Sequence, residues 1–505
     1  IRSEYDTSPH GIGLLAKQQV AETTSLGQYI KSEEYFYDDF CLPCSTIQEW
    51  DVKWSRIGVE EKLKVQTDYV HNGPKGGRLE RVTYPTVDGL LGGTCEYLYD
   101  DLSSILIEVR FNDKSVWKAG SAGFTARNQV KEIILGNGIK TQYDYKPETG
   151  WLSRIGIKRD STTLLEHLLT YDTAANVTKR TVKSMILDEN SAEKLITSEG
   201  SYTYDDKNQL ITALEDGRQQ TFTYKPNGSR TRFLEGDTET LYAYDGASPH
   251  QITRLTGVHD RRLSYDKAGN LIYDVNKKNQ YSRQLTWNPS NKLQNADFFD
   301  SGQHRIRFLS YGYGPDNECT IKYDSLQDRL VFYGDNGFEI ECRKKENRRL
   351  IHMHIMEKKQ RVATFEQEAG KPARLYYYHR DLLNSVTLAT NDQGRILNTL
   401  SYEPYGKVAK ETGSRQSDLL YTGHRADSVN YEGFSHYDYI ARVYEPELGI
   451  FISPDEVEDT QGVAFGLNRY VYVSNNPVSK NDPTGTQGAN GANLPNAKNI
   501  EGLVC

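Results

Sequence analysis

Near the C-terminal end, Asp482 opens the run Asp482-Pro-Thr-Gly485, five positions after the proline of Asn475-Asn-Pro477. Asp455 and Asp459 lie a short distance upstream. Two carboxylates held close together can share one proton, because repulsion raises the pKa of one of them. One then serves as base toward water and the other as acid toward a leaving amine, which is what peptide hydrolysis requires. The segment that follows, Thr486-Gln-Gly-Ala-Asn-Gly-Ala-Asn493, is a small-residue linker able to thread into a cleft. Paired aspartates beside such a linker point to cleavage of the chain's own backbone. Taken alone, Asp482 would do no more than start an Asp-Pro turn.

The elements that must position these residues are repetitive. Tyr-Asp occurs eleven times, from Tyr5-Asp6 to Tyr437-Asp438, where random mixing of the composition gives about three. The context recurs as well. Ser201-Tyr-Thr-Tyr-Asp-Asp-Lys-Asn-Gln-Leu-Ile211 resembles Leu263-Ser-Tyr-Asp-Lys-Ala-Gly-Asn-Leu-Ile272, and Thr170-Tyr-Asp-Thr-Ala-Ala-Asn-Val177 is a third copy. Alternation before the Asp predicts a strand with two faces. The Asp carboxylate predicts a turn, because it can accept backbone N–H bonds. A short apolar strand then leaves, as at Leu210-Ile211 and Leu271-Ile272. Such hairpins bury no face alone; stacked side by side they form a continuous sheet that twist makes wind. A β-propeller or an adhesive β-solenoid would satisfy the same pattern. Helical periodicity is scarce, with short turns expected only near Leu14–Thr24 and Ser191–Leu195.

Composition agrees with a wetted sheet. Only 37% of the 505 residues are hydrophobic, and 35 Tyr stand against 15 Phe, which suits half-exposed sheet surfaces. The net charge of −8 has both signs dispersed and no basic block, so nucleic acid is not an expected partner. No apolar run reaches the roughly 18 residues needed to cross a bilayer, so no direct membrane insertion is expected. Ile1-Arg-Ser-Glu-Tyr-Asp6 reads as the interior of a longer polypeptide. Cys41-Leu-Pro-Cys44 has no matching second pair of ligands and is expected to be structural, and no cofactor or metal is expected. His424 and His436 sit in strand-like surroundings and are expected to be structural.

The Tyr-Asp hairpins resemble the YD repeats of the RHS family, and residues 375–485 resemble the RHS-associated core domain. The markers are Tyr377-Tyr-His-Arg-Asp381, Tyr402-Glu-Pro-Tyr-Gly406, Tyr421-Thr-Gly-His-Arg425, Ala441-Arg-Val-Tyr-Glu-Pro-Glu-Leu-Gly449, Phe451-Ile-Ser-Pro-Asp455, Gly466-Leu-Asn-Arg-Tyr470 and Asn475-Asn-Pro477 with Asp482-Pro-Thr-Gly485. Gly136-Asn-Gly138 to Thr149 also resembles TcC-like components of bacterial toxin complexes. The resemblance implies an all-β fold: long antiparallel β-hairpin repeats wound into a hollow spiral shell, the RHS/YD cocoon, with a C-terminal core plug. It implies a repeat shell over 1–374, a core domain with an autoprotease motif over 375–485, and a linker over 486–505 leading to the cleavage point. The shell would encapsulate its own C-terminal toxin fragment and release it by single-turnover, aspartyl-type autoproteolysis. Implied partners are that fragment, a TcB-like shell partner with a TcA-like translocator, or a type VI secretion component, and the setting would be extracellular.

Residue by residue, Asp482 matches the aspartate of the Asp-Pro-x-Gly motif. Its partner is Asp455, which matches the Ser-Pro-Asp motif, or Asp459, which stands nine residues before Asn468 as in another form of the family. Where the family often has Tyr-Asp-Pro-x-Leu-Gly-Arg, this chain has Glu445 for the Asp and Ile450 for the Arg, and Glu456 stands where a proline normally follows. If the missing arginine orients a catalytic carboxylate, Arg442 or Arg469 must take its place. Cys505 is expected to flank the cut. The alternative is a non-catalytic recognition scaffold resembling the YD shell of teneurin-like adhesion proteins.

Overall fold

The computed structural model describes residues 1–5, 13–24, 26–72, 77–119, 123–358, 360–456, 468–486 and 489–490. Among these residues there is no α-helix; only strands, turns and three-residue 3-10 turns occur. Thirty-four strands form a long antiparallel sheet, in which a strand pairs with its sequence neighbours, as along Leu152–Arg159, Thr162–Tyr171, Val177–Leu187 and Glu193–Tyr204.

Turn chemistry explains the repeat. Asp205 Oδ1 accepts the backbone N–H of Lys207 at 3.0 Å and of Gln209 at 2.8 Å. Asn208 takes the left-handed conformation with φ 61°, its amide tolerating what most side chains avoid. The register slips by one between Thr203 and Tyr204, so the hairpin closes on a bulge. Asp172 with Ala175, Asp266 with Gly269 and Asp381 with Asn384 repeat the carboxylate and left-handed pairing. The preceding Tyr ties one hairpin to the last: Tyr204 OH donates to the Val177 carbonyl at 2.7 Å, Tyr224 to Leu210 at 2.8 Å, and Tyr171 to Leu152 at 2.7 Å.

The structure corrects the sequence in three places. Asp144 and Asp274 follow a Tyr yet lie inside the strands Lys140–Tyr145 and Leu271–Asn276, so those two pairs mark no turn. Conversely, Trp287-Asn288 makes the turn without either residue: the indole donates to the Leu271 carbonyl at 2.7 Å, and the Asn288 side-chain oxygen accepts the amides of Ser290 and Lys292. The expected helical turns are absent as well. Leu15–Thr24 is a strand, and Ser191 sits in a turn leading into the strand Glu193–Tyr204. Alternation, with Ala16, Gln18 and Thr24 buried, outweighs the helix-forming residues there.

The chain divides into two compact units. The first comprises Ile1–Ser121, Leu293–Asp297 and Arg305–Tyr377. Its core holds Tyr29, Trp50, Val52 and Trp54, and the buried Lys31 ammonium stands 3.5 Å over the Trp50 ring. The second comprises Ala122–Lys292, Phe298–His304 and Tyr378–Cys505. It adds to its hairpins a four-stranded sheet of Arg425–Tyr431, Phe434–Asp438, Val443–Glu445 and Ile450–Phe451, and the pair Lys480–Asn481 with Ala489–Asn490. Its core centres on Tyr421, Tyr437, Tyr439, Tyr444, Phe451 and Tyr472, all buried and in mutual ring contact. Composition suggests half-exposed tyrosines; here they are buried because each hydroxyl finds a partner, as Tyr421 does on the Pro404 carbonyl at 3.0 Å and Tyr444 on the Tyr405 carbonyl at 2.8 Å.

If the hydroxyl tie holds successive hairpins together, Tyr204→Phe should lower the local opening free energy of the 172–210 hairpins by about 1 kcal/mol. Hydrogen exchange of the amides of Val177–Leu187 and Leu210–Glu215 measures this, and faster exchange confined to those strands is the expected result.

Candidate functional site

The segment carrying Asp482 is seated on a row of the turns just described. Asn468 donates to the Asn227 carbonyl at 3.3 Å and to Ser229 Oγ at 3.1 Å. Tyr470 donates to the Gly269 carbonyl at 2.8 Å. Asn475 donates to Gln209 Oε1 at 3.0 Å and the Gly228 carbonyl at 2.8 Å, and Asn476 to Asn176 Oδ1 at 2.7 Å. Ser479 Oγ accepts the Val177 N–H at 2.9 Å. A polar side chain at almost every contact makes the segment read the polar ends of the hairpins, and that fixes where Asp482 emerges.

Asp482 then turns sharply. Its Oδ1 accepts the backbone N–H groups of Thr484, Gly485 and Thr486 at 3.2, 2.8 and 3.1 Å. Gly485 takes φ 79°, and a Cβ there would collide with the Tyr439 carbonyl, so the glycine of the motif is a steric requirement. Beyond it the chain doubles back, and Ala489–Asn490 pairs antiparallel with Lys480–Asn481.

Arg442 gathers the site. Its Nη2 lies 2.9 Å from Asp455 Oδ2 and 3.5 Å from Asp482 Oδ2. Its Nη1 donates to the Arg469 carbonyl at 2.9 Å, its Nε to the Gly485 carbonyl, and its guanidinium carbon stacks 3.5 Å from the Phe451 ring centroid. Burial pulls the Arg442 pKa down to about 10 against the pull of both aspartates, so it stays charged at neutral pH. Arg469 holds Asp455 by its backbone: Arg469 Nε donates to the Asp455 carbonyl at 2.5 Å, and the Asp455 N–H donates to the Arg469 carbonyl at 2.9 Å. Asp455 and Asp482 are 8% and 2% exposed, so both face each other's charge with little water to screen it.

The structure therefore brings Asp455, Asp482, Arg442 and Arg469 together. Asp459 and Cys505 lie outside the described residues. His424 joins the site unforeseen. Its ring stacks on Tyr439 at 3.6 Å, and its Nε2–H donates to the Asp482 carbonyl at 2.9 Å. Burial lowers its pKa to about 4, which keeps the ring neutral. The contact spans 58 residues of sequence, so only the Tyr421-Thr-Gly-His-Arg425 motif hinted at it. Glu445, where the family has Asp, lies in a separate buried cluster. It pairs with Arg283 and stands 4.0 Å from Arg261, both of which also hold Asp274. The expected structural pair Cys41 and Cys44 carries free thiols, and burial raises the pKa of Cys44.

A family model described as Teneurin YD-shell matches residues 80–478. Among curated proteins, toxin subunit YenC1 of Yersinia entomophaga is 24% identical over 498 residues, which cover 86% of this chain and 47% of that protein. The tRNA nuclease WapA of Bacillus subtilis (strain 168) is 25% identical over 410 residues, covering 80% of this chain and 16% of that protein. The chain thus spans less than half the length of these relatives. Among solved structures, the Tc holotoxin pore of Photorhabdus luminescens matches with TM-score 0.72 at 18% identity, over 96% of this chain and 26% of that one. The TcdB2-TccC3 crystal structure matches with TM-score 0.68 at 19% identity, over 96% and 27%. The fold is that of these toxin-complex shells.

Two outcomes follow from the site's charges. Arg442→Met leaves two buried carboxylates without their cation and should cost about 3–5 kcal/mol. Their folded pKa values would then rise above the unfolded ones, so the folded state binds more protons and stability falls as pH rises. The drop in unfolding temperature relative to wild type should be larger at pH 8 than at pH 5. His424 works in the opposite direction. Its folded pKa lies below the unfolded value of about 6.5, so its contribution is lost as pH falls from about 6.5 toward 4. His424→Gln should flatten the loss of unfolding temperature between pH 6.5 and 5.

Proposed function

The chain belongs to the Teneurin YD-shell family, and on that premise we propose that it is the shell of a bacterial toxin system that cuts itself free of a C-terminal effector. The observation that carries this reading is the convergence of Asp455 and Asp482 on one Arg442 nitrogen, with the downstream chain folded back beside Asp482. Peptide hydrolysis needs a base for water and an acid for the leaving nitrogen, and two carboxylates in a shared, poorly screened site supply both by dividing one proton. Asp482 Oδ1 is committed to three backbone N–H groups, so Oδ2 is its working oxygen. Arg442 orients both carboxylates and limits the repulsion between them, in the place of the arginine that Ile450 replaces. Arg469 and His424 position Asp455 and Asp482 through their backbone carbonyls. The strand Ala489–Asn490 is paired to Lys480–Asn481, the two residues that precede Asp482. The reaction is a single turnover, because the substrate is the chain itself.

The toxin subunits and nuclease among the relatives support an effector as the released segment, and the TcdB2-TccC3 and Tc holotoxin neighbours support a second shell protein and a translocator as partners. Domains over 1–374, 375–485 and 486–505 correspond to shell, self-cleaving core and linker, and delivery would place the released segment outside the producing cell.

The test is a chain carrying a folded reporter after Cys505, followed by intact-mass spectrometry of wild type and of Asp482→Asn, Asp455→Asn and Asp459→Asn. The expected result is a reporter cut from the wild-type chain yet co-eluting with it. Asp482→Asn and Asp455→Asn should leave one uncut polypeptide, and Asp459→Asn should be cut as wild type. Cleavage that persists in Asp482→Asn would remove Asp482 from the mechanism, and an uncut wild type would favour the non-catalytic recognition scaffold.

A further inference from the structure

The second unit holds another pair of carboxyl groups, separate from the aspartate site. Glu445 ends the strand Val443–Glu445, and Glu447 follows in the next turn. Their side chains hydrogen-bond to each other. Ionised carboxylates only accept, so that bond requires one proton between the two. Ser435 clamps the pair onto the strand Phe434–Asp438: its hydroxyl donates to Glu447 Oε1 at 2.6 Å, and its backbone N–H to Glu445 Oε1 at 3.3 Å. The surrounding charges balance only with the proton in place. Arg261, from the strand Arg261–Tyr265, and Arg283, from Tyr281–Trp287, bring two positive charges, 5.3 and 4.9 Å from the Phe434 ring centroid. Asp274, from Leu271–Asn276, pairs with both and brings one negative charge. Arg283 also pairs with Glu445, and Arg261 stands 4.0 Å from it. Holding one proton, Glu445 and Glu447 supply the second negative charge, and the cluster is neutral. Without the proton it carries one negative charge in excess, although the side chains of Arg261, Asp274, Arg283 and Glu445 are at most 2% exposed.

Burial raises the Glu445 pKa to about 8, with Arg283 opposing the rise and Glu447 adding to it. The groups around the pair do not titrate with it. Against burial, Arg261 and Arg283 lower the pKa of Asp274, which stays ionised. Burial lowers His259 to about 4 and raises Tyr437, which faces the Glu447 charge, so both are neutral near pH 7. Lys278 and Lys407, which line a cavity with His259 and Glu447, are cations. The strand that the pair anchors is three residues long and starts beside Arg442, which holds Asp455 and Asp482. Release at Glu445 therefore reaches the footing of that arginine.

We propose that Glu445 and Glu447 form a proton-operated latch, which keeps the strand Val443–Glu445 closed in acid, lets it open as the surroundings turn weakly alkaline, and passes the change to Arg442 and its two aspartates. An opened Glu445 ionises near pH 4.3, so the closed state binds more protons and acid favours closing. That advantage is complete below about pH 4.3 and is lost as pH rises to about 8, by up to about tenfold per pH unit. The latch works in this way whether or not the chain cuts itself.

The experiment is hydrogen exchange of the whole chain from about pH 5.5 to about pH 8.5, each rate divided by the intrinsic rate at that pH. In the wild type, protection of the amides of Val443–Glu445 and Ile450–Phe451 should fall about a hundredfold over that range, while Leu152–Arg159 keeps its protection. The amides of Thr484 and Gly485, which Asp482 holds, should follow the falling profile. Glu445→Gln keeps the side-chain shape without the charge and should remove the fall. Glu447→Gln takes away the repulsion that raises Glu445, so the fall should end at a lower pH. Protection of Val443–Glu445 that does not change with pH in the wild type, or a fall that persists in Glu445→Gln, overturns the latch. Should Glu445→Gln not fold, a profile in Glu447→Gln identical to wild type overturns it. A fall at Val443–Glu445 with steady protection at Thr484 and Gly485 overturns the link to the aspartates.

Discussion

The structure depends on one local bond: a side-chain oxygen at the end of a strand accepts the amides two and four residues further on. That bond turns the chain back on itself, forces the left-handed residue between, and slips the register by one, so the next strand leaves at a defined angle. The Tyr before it reaches back to the preceding hairpin's first carbonyl and satisfies an acceptor that the bulged ladder would leave open. Each hairpin therefore closes itself and places its predecessor at the same time. A sheet this long and only 37% hydrophobic can stay specific because register is written into every turn by polar atoms.

The same polar turn ends become the receptor for the C-terminal segment. Asn176 bonds sideways to Asn208 of the next turn and also accepts Asn476. Gln209 bonds to its own Asp205 and accepts Asn475. The repeat thus does two things with one set of amides: it links turn to turn, and it offers a row of acceptors to asparagines arriving from far along the chain. That is the physical content of Asn475-Asn-Pro477. Its asparagines need turns to read, and the proline, whose carbonyl takes the Tyr421 hydroxyl at 3.2 Å, redirects the chain toward Asp482.

What the sequence discloses follows the range of each interaction. Turn chemistry acts over five residues, so the hairpins, the left-handed Gly269 and the departing apolar strands are legible directly. Asp482 and Asp455 are legible as motif residues, and Arg442 as one of two candidate cations. The rest is non-local. Asp274 shares its Tyr-Asp signature with the turn aspartates, and only its neighbours across the sheet, Arg261 and Arg283, reveal that it is a buried counter-ion. His424 has a strand-like context, and its bond to Asp482 depends on packing against Tyr439. The tyrosine excess suggests wet surfaces; the buried aromatic cluster emerges only when the core strands bring backbone carbonyls to the hydroxyls. Leu15–Thr24 reads ambiguously because residues that favour helices alternate in polarity, and pairing with Gly27–Tyr37 decides it.

The three-residue strand Val443–Glu445 shows why charge is buried here at all. So short a strand has too few ladder bonds to hold its own register, and a slip by one would reverse its faces. At its start, Arg442 faces Asp455 and Asp482; at its end, Glu445 faces Arg261 and Arg283. Between them Tyr444 packs against Tyr439, Phe451 and Tyr472. A slipped register would strand charges of both signs without partners, at several kcal/mol each, whereas the native register pairs them all. Such pairs add little net stability over an apolar core of equal volume. What they add is uniqueness: only one placement of this strand satisfies both ends. Because Arg442 holds the two aspartates by the same guanidinium, the constraint that selects the register also sets the geometry of the site.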